Sequence, residues 1–171
     1  MRAPTDVLDI FLQTGDFYFG GGRTRIRTLL GSCVAMTLWH PKLQIGGMCH
    51  YMLPHRTGRA PHASIDARYA DEALELFLRE VRQSATHPAE YQVKLFGGGR
   101  MFRPALRHMA GCLNVPERNV ETGRQLAAGA GFNVIAEDLG GDGHRNVMLD
   151  LWSGEVWVKR VSEIVAGKRQ T

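Results

Sequence analysis

The chain has 171 residues, of which 44% are hydrophobic and 22% charged, with three cysteines and a net charge of +4. That length suits one domain whose core needs neither disulfide staples nor a structural metal, and an odd number of cysteines favours free thiols in a reducing, cytoplasmic compartment. The absence of any apolar run of about eighteen residues, a poor secretory signal and scattered arginines argue against membrane insertion, export and nucleic-acid binding.

The first clear strand signals are Thr24–Leu30 and Cys33–His40, with Pro41-Lys42 as a turn and Ile45–Leu53 resuming the apolar pattern. Pro54–Ser64 holds prolines, a glycine and basic residues, and reads as a loop. Ala70, Ala73, Leu74, Phe77, Leu78 and Val81 then recur at helical spacing, and Ser64 is the expected N-cap. Tyr91–Phe96 predicts a short buried strand that ends in Gly97–Gly99. A second helix is expected from Asn114–Glu117, where Asn and Glu suggest a capping box, to Gly129–Gly131. Phe132–Asp138, Arg145–Trp152 and Glu155–Val161 read as strands, the last two joined by a Ser153-Gly154 hairpin turn. Gly20–Gly22 and Gly97–Gly99 lack the lysine and Ser/Thr of a phosphate loop and read as turns. With no linker or repeat, the expectation is a single α+β domain over 1–171, its sheets largely antiparallel or mixed, with strand order left open.

Most of the chemistry lies in Thr28–Leu53. Cys33 follows Gly31-Ser32 at the head of an apolar strand. A nucleophilic thiol needs exposure, uncovered backbone amides for an oxyanion and a nearby base, and a Gly-Ser turn permits the first two. His50 lies two strands and one turn further on, within reach across a hairpin. Pleat parity puts Met48, His50 and Met52 on one face, and Cys49, Tyr51 and Leu53 on the other. Cys49 and His50 therefore point apart, and no CxxC or HxxxH spacing supports a metal site from Cys49, His40, His55 or His62. From these residues alone, a cysteine before an apolar strand is more often a small packed hydrophobe than a nucleophile.

The segment TLLGSCVAMTLWHPKLQIGGMCHYMLP (Thr28–Pro54) closely resembles the chemoreceptor glutamine deamidase family CheD. Lys94–Phe102, Glu117–Glu121 and Gly140–Val161 resemble further blocks of that family in the same order, over roughly residues 15–161. The resemblance implies an α/β sandwich and a Cys–His–Thr site that hydrolyses receptor glutamine amides without metal or cofactor. Cys33 and His50 match residue by residue. Thr28 stands five residues before Cys33, whereas the family's threonine can stand six before it, where this chain has Arg27. Gly31 and Ser32 are then the expected oxyanion and turn support. The implied partners are the cytoplasmic domains of methyl-accepting chemoreceptors and a CheC-type phosphatase. A docking module with little turnover and a cysteine amidase on another substrate are the competing readings. The basic loop after His50, with Arg56 and Arg59, is expected to steer acidic receptor helices.

Overall fold

A computed structural model describes residues 4–101 and 114–161. Among these residues the elements run β1 Leu8–Leu12, β2 Phe17–Gly21, β3 Thr24–Leu30, β4 Val34–His40, β5 Ile45–Tyr51, α1 Ala70–Gln83, β6 Gln92–Gly97, α2 Val115–Gly129, β7 Asn133–Leu139, β8 His144–Asp150 and β9 Glu155–Val161. They build a four-stranded sheet in the order β1-β3-β8-β9 and a five-stranded sheet in the order β2-β5-β4-β6-β7. Pairing is antiparallel except for β1 with β3 and β6 with β7.

Side-chain alternation explains the layering. In β3, Thr24, Ile26, Thr28 and Leu30 are buried, and Arg27 and Leu29 between them are exposed. β4 is buried along nearly its whole length because both of its faces are covered. One core lies between the sheets and includes Ile26, Leu30, Ala35, Met48, Phe96 and Leu149. The other packs α1 and α2 onto the five-stranded sheet through Met36, Leu38, Tyr51, Phe77, Leu95 and Ala127. Helices, five strands and four strands thus form three layers, an α+β sandwich. Each fully buried Leu, Ile or Phe contributes roughly 1.5–3 kcal/mol to holding them together.

Four connections cross from one sheet to the other: β1 to β2, β2 to β3, β3 to β4, and β7 to β8. All but β2 to β3 lie at the same end of the sandwich. β1 runs parallel to β3, so both finish there. The antiparallel pairing of β4 with β5 and β6 brings the ends of β5 and β6 to the start of β4, and β7 follows β6.

Local differences from the sequence reading have physical causes. β1 and β2 have no counterpart among the expected strands, being only five residues each. Gly20 and Gly21 belong to β2 and only Gly22, at φ +70°, turns the chain. Ser64 does not cap α1. The cap position is Tyr69, and the first helical N–H groups find acceptors in the tail of β5, Ala70 N to Leu53 O at 2.9 Å and Asp71 N to Pro54 O at 3.3 Å. Asn114 does precede α2, but its side chain forms no capping bond. Cys112 and Phe102 lie outside the described residues.

The basic loop is tied to α1 by ion pairs. Arg56 makes a two-pronged contact with Glu72 of α1, at 2.9 and 2.6 Å, and donates to Ser64 O. Arg59 pairs with Glu75 at 3.0 Å. Glu72 is 1% exposed, so its carboxylate needs a cation, and Arg56 supplies it. The Arg56 hydrogen bonds hold the Glu72 carboxyl below its ordinary 4.5. The pair therefore stabilises the fold above that pH, and its contribution is lost as Glu72 protonates below it. Arg56→Ala should lower the melting temperature by on the order of 5 °C at pH 7, with the difference from wild type narrowing below pH 4.5. Thermal unfolding across a pH series measures this, and a constant difference would contradict it.

Candidate active site

His50 is 4% exposed and faces the apolar layer between the sheets, while its neighbours Cys49 and Tyr51 pack toward the helices. A ring buried in this way must find partners for both nitrogens. Nδ1 lies 2.8 Å from Thr28 Oγ1, and Nε2 lies 3.3 Å from Thr14 Oγ1. The Thr28 hydroxyl gives its single proton to the Leu12 carbonyl at 2.8 Å, Leu12 standing opposite it in the β1–β3 ladder. Its oxygen therefore accepts from Nδ1–H, and the lone pair is left on Nε2. Burial lowers the His50 pKa from its ordinary 6.5, against the opposing pull of the Leu12 carbonyl and the Asp16 carboxylate. The imidazole is neutral at pH 7.

Ala35 pairs with His50 across the β4–β5 hairpin. Cys33, two residues earlier, returns to the same face and packs against the inter-sheet core. Such diagonal positions in a ladder lie about 7–8 Å apart. The thiol is half-buried. Burial raises its pKa above the ordinary 9.0, and hydrogen bonds with the Thr14 and Ser32 hydroxyls pull it back down.

The turn that carries Cys33 is held by its carbonyls. Gly31 O accepts from Gly99 N at 2.8 Å, Ser32 O from Asn119 Nδ2 at 3.3 Å, and Cys33 O from Gly98 N at 2.8 Å. Gly97, at φ +112°, passes so close that a Cβ there would sit 2.2 Å from Cys33 O, so no other residue fits. With all three carbonyls drawn to one side, the N–H groups of Gly31, Ser32 and Cys33 meet no acceptor among the described residues. Asn119 is fully buried on α2 and also donates to Met52 O at 2.8 Å, so one side chain ties the turn before Cys33 to the strand end after His50.

Of the residues singled out from sequence, Cys33, His50, Thr28, Gly31 and Ser32 meet at this end of the sandwich. Arg56 and Arg59 are instead paired on α1. Cys49 faces the helices, and complete burial pushes its thiol up to about 12. Two residues escaped the sequence reading. Thr14 sits in a turn between two strands that carried no signal. Asn119 lay inside the Glu117–Glu121 block, but nothing in its spacing pointed at Ser32. Among the described residues no group of three or more His, Cys, Asp or Glu could hold a metal, and no helix is long and apolar enough to cross a membrane.

The fold and site define a three-layer α+β sandwich with a thiol, a neutral imidazole and two threonine hydroxyls gathered where the chain changes sheets. The sequence profile of CheD, described as CheD chemotactic sensory transduction, matches residues 52–160, and the chain belongs to the CheD family. It is 52% identical over 159 residues to a protein of Pseudomonas savastanoi pv. phaseolicola named "Probable chemoreceptor glutamine deamidase CheD", covering 93% of this chain and 88% of that one. A Dechloromonas aromatica protein, "Probable chemoreceptor glutamine deamidase CheD 3", is 49% identical over 157 residues, covering 91% and 89%. Overlaps of this length take in the stretch from Thr28 to His50. A crystal structure of Bacillus licheniformis hypothetical protein YfiH is similar at a TM-score of 0.43 and 14% identity, covering 72% of this chain and 50% of that one, too slight a likeness to argue from.

Asn119→Ala removes both donors of the clamp and leaves the Ser32 and Met52 carbonyls without it. Urea unfolding should show a loss of about 1–3 kcal/mol. A loss under about 0.5 kcal/mol would mean that the clamp does not hold the turn.

Proposed function

We propose that the protein is a chemoreceptor glutamine deamidase in which Cys33 is the nucleophile, His50 the general base and Thr28 the group that orients the imidazole. The observation that carries this reading is the fixed tautomer of His50. Thr28 is itself committed to Leu12 O and accepts from Nδ1–H, so the lone pair on Nε2 is directed to the face that bears Cys33. A neutral base of depressed pKa beside a protonated thiol is a pair poised to exchange one proton when substrate arrives. The similarity to curated CheD deamidases supplies the substrate class, the glutamine side chains of receptor cytoplasmic domains.

The reaction follows from these groups. His50 Nε2 takes the Cys33 proton, and the thiolate attacks the carbon of the glutamine carboxamide. Negative charge moves to the former carbonyl oxygen, where the free amides of the Gly31–Cys33 turn serve as donors. As the C–N bond breaks, the imidazolium gives its proton to the departing nitrogen and ammonia leaves. A water then loses a proton to His50 and attacks the thioester, releasing glutamate, and the thiol recovers its proton. None of these steps uses a metal or cofactor. The proposed setting is the cytoplasm, where receptor signalling domains lie, and a CheC-type phosphatase is the proposed regulatory partner. Arg56 and Arg59, already paired with α1, have no part in the proposed site.

Cys33→Ala and His50→Ala should each reduce deamidation of a receptor cytoplasmic fragment by on the order of 10⁴-fold or more, with unchanged far-UV circular dichroism. Intact-mass analysis, which registers each Gln-to-Glu conversion, is the readout. Activity in Cys33→Ala would refute the nucleophile. Because burial lowers the His50 pKa, the base stays unprotonated to lower pH than a free histidine, so the acid limb of kcat/KM should fall below pH 6.5. An acid limb above that value would refute a buried neutral base.

A further inference from the structure

The turn that carries Cys33 leans on Gly97–Arg100, and that segment leans in turn on Gly140–Gly143. Gly99 N and Gly98 N hold the Gly31 and Cys33 carbonyls, both at 2.8 Å. On its other side, Gly97 O accepts from Gly140 N at 2.8 Å, Arg100 N donates to Gly141 O at 2.8 Å, and Gly143 N donates to Arg100 O at 3.3 Å. Gly99 is wedged between its neighbours. A Cβ on it would lie 2.4 Å from Gly143 O and 3.2 Å from Gly31 O.

The Gly140–Gly143 turn is held by one buried cation. Arg145 is the second residue of β8, stands opposite Leu30 in the ladder and is 2% exposed. Its Nε donates to Asp138 Oδ1 near the end of β7 at 2.8 Å, and its Nη2 donates to Gly140 O. The guanidinium therefore spans the turn, from the strand that enters it to the strand that leaves it. Nη1 is buried, with no hydrogen-bond partner among the described residues. It packs against Gly99, 3.3 Å from where a Cβ would stand. Stability alone does not account for this arrangement. An apolar side chain in place of a buried ion pair is often neutral or stabilising, and a buried N–H without an acceptor is unfavourable. What the fork supplies is a fixed spacing between β7, Gly140 and Gly99.

We infer that Arg145 is a positioning residue that sets the Gly31–Cys33 turn for the oxyanion, acting through Gly140 and the Gly97–Arg100 segment. The inference rests on the reading of Cys33 as nucleophile and of that turn's amides as oxyanion donors. Buried at this depth, Arg145 acts on the turn and not on the substrate. Oxyanion donors work only when fixed at about 2.7–3.1 Å from the developing charge. A turn that drifts therefore weakens the attack on the carboxamide and leaves the thiol as it was.

Two reactions of Cys33 separate this role from a general loosening of the fold. Attack on a glutamine amide builds an oxyanion, whereas alkylation by iodoacetamide displaces iodide and builds none. Arg145→Met removes the fork, and Arg145→Lys keeps the charge without the planar fork that reaches both acceptors. With receptor fragment as substrate, both variants should lose on the order of 10²-fold in kcat with KM little changed. Peptide-mapped alkylation of Cys33 should keep its wild-type rate and pH profile, and buried Cys49 should stay slow to label. Asp138→Asn weakens the same fork at the sheet edge and should show a smaller loss in kcat, which decides the matter if the Arg145 variants fail to fold. The other partner of Asp138, Arg160, is exposed, so that pair adds little. Wild-type kcat in a folded Arg145 variant or in Asp138→Asn would overturn the inference. So would full activity in Arg145→Lys, which would show that charge alone suffices. Parallel changes in kcat and alkylation, or faster labelling of Cys49, would reduce Arg145 to a structural role and overturn it equally. If Cys33→Ala still deamidates, the nucleophile reading has failed and this inference with it. If Cys33→Ala is inactive and Arg145→Met matches wild type, only the positioning role has failed.

Discussion

The structure turns on one buried polar bridge, in which Thr28 of the four-stranded sheet meets His50 of the five-stranded sheet across an otherwise apolar layer. An unsatisfied imidazole there would cost several kcal/mol, so the packing of the two sheets and the satisfaction of this ring are a single problem. The solution has little slack. Leu12 O must take the Thr28 proton for Thr28 to accept from Nδ1, and the parallel pairing of β1 with β3 is what puts Leu12 opposite Thr28. A short edge strand with exposed Leu8 and Phe11 thereby sets the tautomer of the histidine.

The second constraint is geometric. Three of the four connections that change sheets do so at the end where β5 finishes, so the turns Gln13–Asp16, Gly31–Cys33 and Gly140–Gly143 lie at the same end of the sandwich as His50. Turns of this kind leave backbone amides and carbonyls outside the ladders. Here the carbonyls are taken up by Gly98, Gly99 and Asn119, and among the described residues the amides are left over. That asymmetry is what an oxyanion site requires, and it arises from connectivity as much as from side-chain identity.

Neither member of the thiol–imidazole pair is charged at rest. Burial raises the thiol and lowers the imidazole, which opposes a standing ion pair. A thiol kept protonated in this way is a weaker nucleophile than the thiolate and is slower to oxidise or alkylate. The basic character of the loop after β5 is likewise spent within the fold, since Glu72 is buried and requires Arg56.

Much of this could be read from the residues in order. The strands Thr24–Leu30 and Glu155–Val161, the amphipathic α1 and the face shared by Met48 and His50 all follow from periodicity, because alternation and helical spacing are local properties. That Cys33 and His50 lie on adjoining strands was legible because one hairpin joins them. What periodicity could not supply were β1 and β2, each five residues long, and with them the turn that brings Thr14 to Nε2 and the carbonyl that commits Thr28. Asn119 is the same case, since its two acceptors are 87 and 67 residues away. From the sequence came the candidate groups for the chemistry and the strand faces they occupy. Only the tertiary structure decided which hydroxyl stands beside each nitrogen of His50, because that depends on hydrogen bonds between segments that meet only after both sheets have closed.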